Sequence, residues 1–181
     1  MEKKAWLVSI LMIVLLFGCK HINYDTLDTS NLKKVEPKGN LTEEQLKTIP
    51  VSYEASSLEE ALDALPFKVK IPSDIPFDAT PFRISTIDDF KHDGEKLRVS
   101  FTSFSKNSDD MIILIISIHN FKVEYSGTSE EVKLADGVVG QYNGNLTFKK
   151  NGIYYEIGYN NKNISSEQRK KDIIKIANQM L

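Results

Sequence analysis

The sequence predicts an α+β fold: an antiparallel sheet of about six or seven strands, a helix before it, and a C-terminal helix packed on one face. Three observations carry this. Apolar and polar residues alternate with period two from Phe82 to Tyr159. The joints between these runs hold Asp93-Gly94, Asp136-Gly137, Asn143-Gly144 and Asn151-Gly152, dipeptides that supply the positive φ of tight hairpins. Two stretches opened by Ser57 and Ser165 repeat their apolar residues at helical spacing.

Taken in order, Thr42 with Gln45 three residues on has the form of a capping box opening a short helix through Lys47, and Pro50 ends it. Ser57 caps a second helix, with Glu60 placed to return the bond, and Leu58, Ala61, Leu62 and Leu65 fall on one face. Pro66 stops it. Phe67 to Ile71 alternates as a first strand, and Pro72, Pro76 and Pro81 then set an extended path pinned by Ile75 and Phe77.

Phe82, Ile84 and Thr86 form one alternating run, and Leu97, Val99 and Phe101 the next. Met111 to Ile118 is apolar at nearly every position, as a central strand covered on both faces would be. It is too short to cross a membrane. Strands follow at Val132–Leu134, Val138–Tyr142, Asn145–Lys149 and Ile153–Tyr159. Ser165, with Gln168 three residues on, opens a closing helix whose stripe is Ile173, Ile176, Ala177, Met180 and Leu181.

The N-terminus is of another kind. Lys3 and Lys4 precede an apolar run from Ala5 to Phe17, the form of an export signal. At about 1.5 Å per residue this run falls short of the roughly 30 Å hydrocarbon core, so a permanent membrane helix is the weaker expectation. Leu16-Phe17-Gly18-Cys19 resembles the lipobox of bacterial lipoproteins, with Phe17 bulkier than the usual residue there. That resemblance implies cleavage between Gly18 and Cys19 and acyl chains on the Cys19 sulfur. Two or more chains hold a protein stably where one is marginal. The expected organisation is a signal peptide at 1–18, a polar tether at 19–52 and one extracytoplasmic α+β domain at 53–181.

Composition then excludes several chemistries. Loss of residues 1–18 removes two cations and one anion, taking the net charge from −2 to −3 with the signs interleaved. There is no basic stripe for a nucleic-acid backbone. Cys19 is the only cysteine, so its acylation leaves no thiol for disulfides, zinc or nucleophilic attack. His21, His92 and His119 lack the short spacing of a metal site, and no metal or cofactor is expected. Asp88-Asp89 and Asp109-Asp110 lack the rest of a calcium loop and read as charges ending strands and guarding edges. Gly137, Gly140 and Gly144 precede no Lys-Ser/Thr and are hairpin residues. Asn40, Asn145 and Asn163 begin sequons, read in a bacterial chain as turn and cap residues. Tyr142, Tyr154, Tyr155 and Tyr159 with Phe148 are either a platform for carbohydrate or peptide, or half-buried strand residues, the second being favoured.

The run Leu65-Pro66-Phe67-Lys68-Val69-Lys70-Ile71-Pro72, the following Ile75-Pro76, Gly152 to Ile157, and Ile174-Lys175-Ile176-Ala177 together resemble one family. It is an uncharacterised extracytoplasmic domain family of Gram-positive bacteria, found in lipoproteins and in the outer portions of anti-sigma-factor-like and sporulation-associated membrane proteins. The resemblance spans Ser57 to Leu181 and implies a fold, with no catalytic residues to carry over. The expected role is a membrane-anchored binding or sensory module of the cell envelope with a protein partner there. A carrier for a lipid or hydrophobic ligand is the alternative, and an enzyme is the least expected.

Overall fold

The computed structural model describes residues 26–124 and 127–181. Nine strands, β1 (Lys33–Val35), β2 (Val51–Glu54), β3 (Arg83–Asp89), β4 (Leu97–Phe104), β5 (Ile113–His119), β6 (Glu130–Lys133), β7 (Val139–Tyr142), β8 (Leu146–Lys150) and β9 (Ile153–Asn160), join one sheet. Its order is β1-β2-β3-β4-β5-β9-β8-β7-β6, and every pairing is antiparallel. The chain meanders to the middle, crosses from β5 to the far edge at β6, and meanders back so that β9 closes against β5. The α+β class, the preceding helix and the closing helix are as expected. The strand count is higher.

Among the described residues three α-helices accompany the sheet: α1 (Glu43–Thr48), α2 (Leu58–Ala64) and α3 (Ser166–Met180). Thr42 and Gln45 form the full capping box of α1. Ser57 Oγ accepts from the Glu60 N–H at 3.1 Å, and the Glu60 carboxylate reaches back over the start of the helix. Its main donors there are the N–H and hydroxyl of Ser56. Ser165 Oγ accepts from the Gln168 N–H at 3.1 Å, opening α3.

α3 lies against β9 and α2 against β3. Ile173, Ile176, Ala177 and Met180 of α3 meet Val99 and Phe101 of β4, Leu114, Ile116 and Ile118 of β5, and Ile157 of β9 in one buried cluster. Each fully buried Ile or Leu contributes about 1.5–3 kcal/mol by leaving water. Phe148 stacks on Tyr155 with centroids 4.7 Å apart, and Phe77 stacks on Tyr159 at 5.8 Å.

Several expectations change. Phe67 to Ile71 forms no strand: Phe67, Val69 and Ile71 pack partly buried against the core as an irregular segment with no ladder to join. The stretch expected to be a tether is, from Thr26 onward, part of the folded unit. It supplies β1, α1 and β2, and buried Leu27 donates its N–H to the Gly94 carbonyl at 2.9 Å. Gly94 has φ 76°, and a Cβ there would stand 3.0 Å from the Leu27 nitrogen.

Asp88 and Asp89 guard no edge. Both are buried, on a strand flanked by β2 and β4. Asp89 folds the β3–β4 connection by accepting from the N–H groups of Lys91, His92 and Gly94. Asp88 accepts from Ser52, Thr86 and Arg98.

Candidate functional site

β5 is apolar from Ile113 to Ile116, and the core covers one side of it along its length. Leu114, Ile116 and Ile118 point into the core, while Ile115, between them in sequence, is 44% exposed. The pairing registers extend this second face across the sheet. They set Phe104 of β4 opposite Ile113, Thr102 opposite Ile115, and Gly158 of β9 on the other flank of Ile115. Phe104 is 42% exposed. The face that the sequence led us to expect covered therefore carries an open apolar patch of Ile115 and Phe104 with Ile113, beside polar Thr102 and Ser117.

The two ends of this face differ. At one end Phe90 and Phe121 close it, edge to face at 5.2 Å, with Phe121 meeting the His119 ring at 5.4 Å. Lys96 Nζ lies 4.6 Å from the Phe121 centroid and the Arg98 guanidinium 5.2 Å from that of Phe90. His119 is buried beneath this roof, and neither ring nitrogen has a hydrogen-bond partner. Burial, and then the nearby Arg98 cation, push its pKa down from the usual imidazole value, with Glu156 opposing.

At the other end a groove of 480 Å³ opens over β5, β9 and the β7–β8 turn. Ile113 and Ile115 form its floor, and Gly158 leaves the space a side chain would fill; a Cβ there would lie 3.3 Å from Asn145 Oδ1. The Asn145 amide donates to the Glu156 carboxylate at 3.0 Å, making one polar wall. Ser117, hydrogen-bonded to Ser100 at 3.0 Å, lies next along β5. Arg169, in the second turn of α3, also lines this groove, and its Nε is shielded from solvent with no acceptor.

The chain matches no protein-family model, and neither a curated protein nor a solved structure is significantly similar to it. What the site can do is read from its own groups. A second groove of 600 Å³ continues past Asn145 and Glu156 toward Gln141 and Thr147. A third, of 350 Å³, lies between β1, α1 and β2, where His92 Nε2 meets the Ile49 carbonyl at 2.8 Å.

The sequence-predicted residues are thus dispersed. Gly18, Cys19 and His21 lie outside the described residues. Among the described residues no three His, Cys, Asp or Glu side chains gather as metal ligands, and no helix is long and apolar enough to cross a membrane. Tyr155 and Tyr159 are buried on the core side, where burial pushes their hydroxyls up, and only Tyr154 of that pair of faces joins the open one. The aromatic cluster is strand packing and not one platform. The groove residues carried no signal of their own: Arg169 stands in a run of helix-surface charges, and Gly158 in a strand.

Proposed function

We propose that this chain is an extracytoplasmic lipoprotein, cut before Cys19 and held to the membrane by acyl chains on that sulfur. Its folded domain is a binding module that meets a partner in the cell envelope through the open sheet face. The lipobox-like Leu16-Phe17-Gly18-Cys19 supports the anchoring. One observation carries the binding: the central strand of the sheet leaves Ile115 exposed beside Phe104, where an antiparallel sheet facing water ordinarily presents polar side chains. Burying such a patch against a partner removes apolar surface from water at about 25 cal/mol per Å².

A second reading draws on the groove itself. Its floor of Ile113 and Ile115 suits the apolar part of a small ligand, so a carrier role is the alternative. The membrane-domain organisation would be shared by both.

The binding reading is tested by placing a photo-crosslinking side chain at Ile115 in the intact envelope, with one at exposed Lys171 on α3 as the control. A discrete adduct from position 115 that is lost on Phe104→Asp, with none from 171, is the expected outcome. Equal labelling from both positions would contradict it.

A further inference from the structure

We propose that the groove over β5, β9 and the β7–β8 turn is a binding site for a small monocarboxylic acid with an apolar body, such as an acyl amino acid, whose carboxylate is held by Arg169. The proposal rests on the open face being the binding surface and adds to it the class of ligand. Three cations stand in succession at the start of α3. Lys170 pairs with Glu130 at 2.6 Å and Lys171 with Glu167 at 2.8 Å. Arg169, between Ser166 and these two, is the one that lines the groove, and among the described residues it forms no ion pair.

A guanidinium with a shielded, unpartnered Nε has given up water without receiving an acceptor. An arriving carboxylate supplies what is missing, and its two oxygens match the fork of an arginine as a single-point lysine cannot. Asn160, exposed on the same groove, offers an amide donor next to β5 through its pairing with Ile113. The body of the ligand then lies on Ile113 and Ile115, across the gap left by Gly158.

Two features select among anions. One unpaired cation, with the Glu156 carboxylate in the opposite wall, favours a monoanion over a phosphate dianion. The groove volume of 480 Å³ lies in the range of small-molecule sites. It is an amphiphile's site, polar at the Arg169 end and apolar along the strand.

The test uses the full chain in lipid nanodiscs, titrated with N-acetyl-leucine, with N-acetyl-leucinamide and with inorganic phosphate. Binding is followed by NMR at the Arg169 Nε–H resonance and at the Ile115 and Gly158 amides. N-acetyl-leucine is expected to shift all three and to bind at least about tenfold more tightly than the amide or phosphate. Arg169→Gln should abolish that preference, and Arg169→Lys should retain part of it, with unchanged circular dichroism and melting temperature in both. Equal shifts from acid and amide, stronger binding of phosphate, or no shift from the acid up to its solubility limit would each overturn the proposal. Envelope crosslinking from position 115 reads the open face separately, so a groove that takes no acid and a face that meets no partner are distinguishable failures.

Discussion

Arg98 and Asp88 face each other across β3 and β4, the guanidinium Nη2 2.6 Å and Nε 3.0 Å from one carboxylate oxygen. The two ends of this pair live in different surroundings: the Asp88 side chain is 8% exposed and that of Arg98 41%. The other Asp88 oxygen accepts from Ser52 of β2 and from Thr86, so one carboxylate ties three adjacent strands together. Arg98 then leans over Phe90, joining the ion pair to the aromatic roof above His119.

Asp88→Asn keeps the shape and removes the charge. Hydrogen bonds to a charged group are worth about 1.5–3 kcal/mol, so a loss of that order is expected in urea unfolding. The same substitution should cost less in an Arg98→Ala background, because the coupled partner is already gone. A single-variant loss under about 0.5 kcal/mol would show that the buried carboxylate contributes little.

His119 makes stability depend on pH with a definite sign. Its folded pKa is lowered first by burial and then by Arg98, against an opposing Glu156, while the unfolded chain keeps a value near 6.5. The unfolded state therefore takes up the proton first. The contribution is complete above about pH 6.5 and is lost as pH falls from there toward the lowered folded value. Urea midpoints at about pH 7.5 and 5.5 should fall further for wild type than for His119→Phe, which keeps an edge-to-face contact with Phe121. Equal falls would remove His119 from the account.

Gly140 tests the packing of the far side of the sheet. It sits opposite Val132 and Phe148 in the β6–β7–β8 ladder, and a Cβ there would lie 2.8 Å from Leu146 Cδ1 and 3.2 Å from the Thr147 carbonyl oxygen. The backbone oxygen cannot swing away. Gly140→Ala should cost about 1–3 kcal/mol in urea unfolding, whereas Val139→Ala, at an exposed neighbour, should stay within about 0.5 kcal/mol of wild type.

Much of the sheet was legible because its turns carry their chemistry openly. Asn151 and Gly152 both take positive φ, 50° and 84°, between β8 and β9, as the dipeptide demands. The capping residues Thr42, Ser57 and Ser165 were equally plain. β1 and β2 were not, since Lys-Lys-Val and Val-Ser-Tyr-Glu are too short to show a period; the ladder from β1 to β2 to β3 and the Leu27 anchor set them in place. Phe67 to Ile71 alternates as a strand would, but alternation records which side chains meet the core and not whether a neighbouring ladder exists. The groove was hidden for a related reason. An apolar strand reads the same whether its second face is covered or bare, and only the pairing of β5 with β4 and β9 shows Ile115 left open. Arg169 looked like one helix-surface charge among several until the ion pairs of its neighbours left it alone.

Cys19 is the residue proposed to anchor the domain to the membrane, and metabolic labelling tests that most directly. Cells expressing the full chain are fed an alkyne-bearing palmitate, and the protein is recovered, coupled to a reporter and compared with Cys19→Ala. The wild-type chain should carry the label and stay with the membrane, while Cys19→Ala carries none. Equal labelling of the two chains, or none on the wild type, would contradict the anchor.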